Sequence, residues 1–144
     1  MTTTAEAQGL PRVLSRALAS KGYADLTEVQ DAMLAPHLNG RDLLVSARTG
    51  SGKTVAFGLA IGADLLEDEE RLPHATSPIA LVVAPTRELA MQVAKELTWL
   101  YGEAGVKVAT CVGGMDMRVE RQALARGAHI VVGTPGRLVD HISR

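Results

Sequence analysis

The sequence predicts an α/β domain in which helices cover both faces of a parallel β-sheet. The length of 144 residues suits one compact domain. Short, almost continuous apolar runs alternate with segments of helical character, and strands that are apolar on both faces are typical of a buried parallel sheet. The four predicted strands are residues 42–47, 79–85, 107–112 and 129–134. In such sheets, ligands bind at the carboxyl ends of the strands.

Two helices precede the first predicted strand. Residues 10–23 have apolar positions at helical spacing, with Pro11 near the start and Gly22 where the helix should end. Residues 27–38 indicate a second helix, which Thr27 caps and Pro36 disturbs. Each strand is followed by a turn and a helix, predicted at residues 53–66, 86–101, 116–126 and 135–142.

The composition excludes several classes of protein. Cys111 is the single cysteine, so an internal disulfide framework is impossible, and a reducing cytoplasmic location is expected. No apolar run is long enough to span a bilayer, and residues 1–9 lack the basic start and apolar segment of a signal peptide. We therefore expect no membrane contact. The net charge of −1 neither indicates nor excludes nucleic acid.

The segment ARTGSGKT, residues 47–54, lies between a predicted strand and a predicted helix. It matches the phosphate-binding pattern G-x-x-x-x-G-K-[ST], except that Ala47 replaces the first glycine. The glycines let backbone N–H groups approach phosphate oxygens, and the start of the helix adds a favourable field. Lys53 is predicted to reach the β- and γ-phosphates, and the Thr54 hydroxyl to ligate Mg²⁺. The simpler alternative is a glycine-rich turn with an exposed lysine.

Five segments, in this order, resemble the first helicase domain of DEAD-box RNA helicases. They are KGYADLTEVQ (21–30), ARTGSGKT (47–54), APTRELA (84–90), GG (113–114) and TPGR (134–137). The phosphate loop of that family normally begins with alanine, which accounts for Ala47. The resemblance implies a three-layer, RecA-like P-loop NTPase fold. Residues 10–144 would form the N-terminal portion of the domain, after a flexible segment at residues 1–9.

The resemblance also implies that the nucleotide is ATP, bound with Mg²⁺. In the Q motif, residues 21–30, Gln30 would pair with the N6/N7 edge of adenine and Tyr23 would stack on the base. Leu26 stands where a proline is common, and the family's upstream aromatic residue is absent near Ala5. The residues assigned to the nucleotide are Tyr23, Thr27, Gln30, Thr49, Gly50, Ser51, Gly52, Lys53 and Thr54. Among them, Lys53 and Thr54 are also assigned to catalysis.

Three further segments are expected to hold the sugar-phosphate backbone of a single RNA strand without sequence preference. The assigned residues are Pro85, Thr86, Arg87, Gly113, Gly114, Thr134, Pro135, Gly136 and Arg137. Arg137 is expected to supply a cation. Taken alone, the pair of glycines is more typical of a simple turn. The remaining basic and metal-binding residue types are interpreted as structural or as an exposed helix face: Cys111, Arg118, Arg121, Arg126, His129 and His141.

The sequence contains no Asp-Glu-Ala-Asp element after residues 134–137, and no second helicase domain. In the resembled family, those acids hold Mg²⁺ and orient the attacking water. We therefore expect a piece of a longer helicase that binds ATP weakly, does not hydrolyse it, and has low stability alone. Two alternatives are a non-catalytic nucleotide-binding module and another phosphate-loop translocase of nucleic acid.

Overall fold

The computed structural model describes residues 10–23, 25–35, 40–46, 52–66, 71–114 and 116–143. The chain divides into two units, Met1–Glu70 and Arg71–Arg144. Their described residues contain no helix long and apolar enough to cross a membrane.

The first unit is built from helices: α1 Arg12–Ser20, α2 Glu28–Ala32, α3 Lys53–Ala60 and α4 Gly62–Leu66. Helix α1 begins after Pro11 and buries Val13, Leu14, Ala17 and Leu18 along one face. Gly22 has a φ of 81° just beyond its end, and the Tyr23 N–H bonds to the Leu18 carbonyl at 2.9 Å. Both predicted boundaries of this helix are therefore confirmed.

Helix α2 is shorter than predicted. It ends at Ala32, although the Thr27 cap is present as predicted. Met33 and Leu34 form a turn, and Ala35 lies outside any helix. A residue that precedes proline is disfavoured in helical conformation, which gives a physical reason for an end before Pro36. Residues 36–39 lie outside the described residues.

The prediction of a strand at residues 42–47 is wrong for residues 42–46, which have no regular structure. Leu44 is fully exposed, and Leu43 and Val45 are about 40% exposed. A strand exists only when a neighbour completes its hydrogen bonds, and the described part of the first unit contains no other strand. Leu43, Leu44 and Val45 are apolar, as in a buried strand. Apolar composition alone does not show that a partner strand is present. The predicted helix over 53–66 is present, with a break at Ile61.

The second unit contains a parallel sheet of β1 Ala80–Val83, β2 Val108–Cys111 and β3 Ile130–Gly133, in the order β1-β3-β2. Ile130 is in register with both Ala80 and Val108. All four residues of the central strand β3 are buried, as a doubly covered strand requires. The edge strand β1 buries less, since Leu81 and Val83 are more than half exposed.

The described residues around this sheet form the α-helices α5 Arg87–Tyr101, α6 Met117–Ala125 and α7 Pro135–Ser143, and a short 3₁₀ helix, Gly102–Ala104, follows α5. Helix α5 packs on β2 and β3, and α6 packs on β2. One core cluster joins Val131 of β3 to Leu138 of α7 and includes Ala109, Cys111 and Ala128. Ile130 and Val132 alternate with Val131 and are also fully buried, so β3 is covered on both faces. The three predicted strand–helix repeats of this unit are confirmed.

Candidate functional site

In the first unit, Gln30 is held by its own helix start. The Thr27 N–H donates to Gln30 Oε1 at 3.0 Å, and the Gln30 N–H donates to Thr27 Oγ1 at 3.3 Å. This reciprocal pair is a capping box, worth about 1 kcal/mol of helix stability. It orients the Gln30 side chain, which is only 6% exposed.

The other end of the same amide reaches the phosphate loop. Gln30 Nε2 donates to the carbonyl oxygen of Gly52 at 3.3 Å, across 22 positions of sequence. Gly52 has a φ of 83°, and a Cβ at this position would overlap Gln30 Nε2 and lie 3.4 Å from Thr27 Oγ1. Glycine is required here for both the left-handed conformation and the space. The structure thus brings three predicted nucleotide residues into contact.

Lys53 and Thr54 are the first two residues of α3. The positive end of this eight-residue helix lies at the lysine that is predicted to contact phosphate. Tyr23 is 49% exposed, which leaves part of its ring accessible for stacking. Thr49, Gly50 and Ser51 lie outside the described residues. Both polar atoms of the Gln30 amide, Oε1 and Nε2, already form hydrogen bonds within the protein. Adenine would have to share or replace these hydrogen bonds, so the predicted pairing stays a prediction.

In the second unit, the predicted RNA segments follow the carboxyl ends of the three strands. Thr86 caps α5, and its hydroxyl oxygen accepts a hydrogen bond from the Leu89 N–H at 3.2 Å. The guanidinium of Arg87 lies against Gly114, where a Cβ would overlap Arg87 Nη1. Gly113 and Gly114 both have positive φ values, 76° and 70°. Two segments that lie far apart in sequence are therefore adjacent, and the glycines are required by the backbone conformation.

The third segment is joined to the second through β2. The Thr134 N–H donates to the carbonyl of Cys111 at 3.1 Å, two residues before Gly113. Pro135 begins α7 and is exposed, as is Gly136, beside which a Cβ would meet nothing within 4 Å. These loops expose backbone groups and small residues at one edge of the sheet, which suits close approach of a phosphate.

Glu120 on α6 is 2% exposed and was not predicted from the sequence to be a functional residue. Its Oε1 accepts from Arg137 Nε at 2.6 Å and from His141 Nε2 at 2.8 Å. Its Oε2 accepts from the Val112 N–H at 3.0 Å. Burial alone raises the pKa of this carboxyl, but the hydrogen bonds from His141, Arg137 and Val112 outweigh burial and hold the pKa below its ordinary value.

A signal for this network was present in the sequence. Arg137 and His141 are four residues apart and so share one face of α7, where a common anionic partner is a reasonable expectation. The arginines of the segment 116–126, however, predicted an exposed charged face for this helix. Arg118, Arg121 and Arg126 are indeed exposed, as predicted, but Glu120 points inward between them.

Ligand atoms of Cys111, Glu120 and His141 all lie within 4.8 Å of one another, although their sequence spacing gave no metal signature. The carboxylate already accepts from three N–H groups. Burial raises the pKa of the Cys111 thiol to about 11, so the thiolate that a metal requires is disfavoured at neutral pH. We therefore interpret Cys111 and His141 as structural residues rather than metal ligands.

His129 also has a structural environment. Its Nδ1 accepts from the Lys107 N–H at 2.9 Å, and its Nε2 lies 2.7 Å from the Pro73 carbonyl. The ring thereby joins the start of β3 to the segment that precedes β1.

Comparison with known proteins agrees with these features. The model of the DEAD/DEAH box helicase family matches residues 27–144. The chain is 46% identical over 139 residues to "DEAD-box ATP-dependent RNA helicase 3B, chloroplastic" of Zea mays, covering 94% of this chain and 18% of that protein. It is 43% identical over 141 residues to "Probable ATP-dependent RNA helicase DDX47" of Mus musculus, covering 98% of this chain and 30% of that protein.

A solved structure shares the fold. The crystal structure of the RNA-helicase Prp28 from Chaetomium thermophilum bound to ADP has a TM-score of 0.83 and 41% identity, with 98% of this chain and 34% of that chain covered. This chain therefore spans between about a fifth and a third of the length of these relatives. The predicted fold class, an incomplete RecA-like parallel sheet with helices, is confirmed. With the matched family model spanning most of its length, the chain belongs to the DEAD/DEAH box helicase family.

Proposed function

We propose that this chain is the ATP-binding and RNA-binding N-terminal portion of the first helicase domain of an ATP-dependent RNA helicase. Its family membership and the names of its relatives support this proposal. The whole protein would remodel or locally unwind RNA when a second helicase domain closes on this one. The cytoplasmic location that the single cysteine indicates stays a prediction.

The observation that carries the proposal is the hydrogen bond between Gln30 and Gly52. The adenine and the phosphates belong to one nucleotide, so a base-reading residue and a phosphate loop must lie within the span of one molecule. The contact meets that requirement, and it involves a buried side chain whose orientation the capping box determines. A glutamine amide can donate to N7 and accept from N6 of adenine, a pairing that guanine does not offer.

Lys53 and Thr54 would form part of a binding site for a nucleotide with Mg²⁺. Lys53 would contact the β- and γ-phosphates, and the Thr54 hydroxyl would provide one oxygen ligand to Mg²⁺, which would neutralise the phosphate charge. The carboxylates that orient water in this family do not follow the TPGR segment in this chain. We propose that the chain alone binds ATP weakly and does not hydrolyse it.

The RNA site would lie at the carboxyl edge of the second unit. Exposed Arg87 would supply a positive charge, and Gly113, Gly114 and Gly136 would let phosphates approach the backbone. Thr134 would donate its hydroxyl. Contacts of this kind position a strand without reading bases, so we expect affinity to depend strongly on salt and weakly on sequence.

The test of the nucleotide site is ATP binding by this chain, measured by calorimetry. Lys53→Ala and Gln30→Ala should each weaken binding, whereas Lys95→Ala, which removes the same charge from an exposed position on α5, should not. If neither site substitution weakens binding, the assignment is wrong. Equal affinity for GTP and ATP would contradict the role of Gln30 alone.

A second measurement tests the nucleic acid. ATP hydrolysis by the whole protein should be stimulated more by single-stranded RNA than by DNA of the same sequence. Equal stimulation would favour a different nucleic-acid translocase, and ATP binding without turnover would favour a non-catalytic module.

A further inference from the structure

Glu120 connects two of the three segments predicted to hold RNA. One carboxylate oxygen accepts from the Val112 N–H, directly before Gly113 and Gly114. The other accepts from Arg137, within the TPGR segment, and from His141 one turn later on α7. A single buried side chain on α6 thus contacts the loop after β2 and the helix after β3.

Because Glu120 is buried, its hydrogen bonds favour one arrangement of the two segments. A buried carboxylate is costly unless charged or polar donors surround it, and removing one partner leaves the cost uncompensated. Glu120 is 2% exposed and has three N–H donors from two segments. Moving either segment relative to the other would therefore break a charge-assisted hydrogen bond to a buried carboxylate.

The same contact changes the role expected of Arg137. Its side chain is 18% exposed, and its Nε points at Glu120 at 2.6 Å. A guanidinium that neutralises a buried carboxylate contributes less net charge to an RNA phosphate than a guanidinium on the surface. Arg87 differs, because it is exposed and lies against the backbone of Gly114.

We propose that Glu120 is a positioning residue for RNA binding: it holds the Gly113–Gly114 loop and the start of α7 at the spacing that successive phosphates require. Arg137 acts mainly through Glu120 rather than as a phosphate ligand. This inference rests on the proposed function, since it concerns how the same RNA site is held in shape.

The test uses the whole protein with a non-hydrolysable ATP analogue and a fluorescein-labelled oligouridine. Affinity is measured over a range of salt concentrations for wild type, Glu120→Gln, Arg137→Gln and the double variant. Glu103→Gln is the matched control, because this exposed residue follows α5, whose 15 residues extend roughly 22 Å from the RNA edge of the sheet. Affinity for the ATP analogue without RNA is measured in parallel.

We expect Glu120→Gln and Arg137→Gln each to weaken RNA binding about tenfold, because each places mismatched or missing donors in a buried charged site. The double variant should bind RNA as well as whichever single variant binds less tightly, since both substitutions remove the same contact. The slope of log affinity against log salt should be unchanged in all of them, and ATP affinity should match wild type.

Several results would overturn the inference. One is RNA affinity of Glu120→Gln equal to wild type. Another is a salt slope that falls by about 0.7 in Arg137→Gln, the change expected when one phosphate contact to a single strand is lost. A parallel loss of ATP affinity would indicate a general structural role instead. If Glu120→Gln fails to fold, the salt slope of Arg137→Gln decides alone. A wild-type protein that binds no RNA would contradict the proposed function itself.

Discussion

Gln30 and Gly52 meet through a hydrogen bond of 3.3 Å, at a position where a side chain would displace the glutamine. The bond links the segment expected to read the base to the backbone that leads into Lys53. We therefore expect occupancy of the phosphate loop and orientation of Gln30 to be coupled through the Gly52 carbonyl group. That coupling can be tested by a substitution at Gly52 that leaves the side chains of Gln30 and Lys53 in place.

Gly52→Ala should disturb Gln30 as well as the loop. Alanine in the left-handed region costs on the order of 1 kcal/mol, and its Cβ would additionally overlap Gln30 Nε2. We expect a lower free energy of unfolding and clearly weaker ATP binding, measured by urea denaturation and calorimetry.

Gly40→Ala is the control for that variant. Gly40 has a similar φ of 73°, but a Cβ there would meet nothing within 4 Å. Its loss of stability should reflect backbone strain alone, with ATP affinity unchanged. Equal effects of the two substitutions on ATP affinity would argue against coupling through Gln30.

The glycine pair permits a similar comparison at the RNA site. Gly113 and Gly114 share the left-handed conformation, but only at Gly114 would a Cβ overlap the guanidinium of Arg87. The end of a flexible side chain can move at little cost in stability. We therefore expect Gly113→Ala and Gly114→Ala to melt at similar temperatures, while Gly114→Ala binds RNA less tightly because Arg87 is displaced. Equal RNA affinities would show that the position of Arg87 does not matter.

Where sequence prediction succeeded, the information was local. The limits of α1 follow from Pro11 and Gly22, and the cap at Thr27 follows from residue type next to an apolar helical pattern. The continuous apolar character of residues 129–134 correctly indicated a strand buried on both faces. Each of these features depends on residues within a few positions of one another.

Prediction failed where the outcome depended on a distant partner. Residues 42–46 have strand composition, yet a strand requires a neighbour, and composition does not say whether one is present. Glu120 was overlooked because its three donors come from the loop after β2 and from α7, which only the fold brings together. The family resemblance named the RNA segments but not the buried carboxylate that joins two of them.

Glu120 should also make stability depend on pH. Its hydrogen bonds hold its pKa in the folded state below the ordinary value near 4.5. A lowered folded-state pKa contributes stability that is present above the unfolded pKa and is lost as the pH falls through the folded pKa. The wild-type protein should therefore exceed Glu120→Gln in free energy of unfolding near neutral pH, and the gap should narrow on acidification below about pH 4.5.

Urea denaturation of both proteins at a series of pH values measures that gap. A gap that stays constant from neutral pH to below pH 4 would mean that the carboxyl has the same pKa in both states, and that the contacts of Arg137 and His141 do not stabilise its charged form.

The isolated chain should self-associate through exposed apolar surface. Strand β1 lies at an edge of the sheet formed by the described residues. Leu81 and Val83 of this strand, and Ile79 just before it, are each more than half exposed at alternate positions, and therefore on one face. Unpaired strand edges with apolar faces favour pairing between chains. Sedimentation velocity should show association that increases with concentration, and Leu81→Lys should reduce it with little change in the melting temperature, because the Leu81 side chain contributes little to the core. A wild-type chain that stays monomeric and melts reversibly and cooperatively would contradict both the association and the low stability expected of this piece.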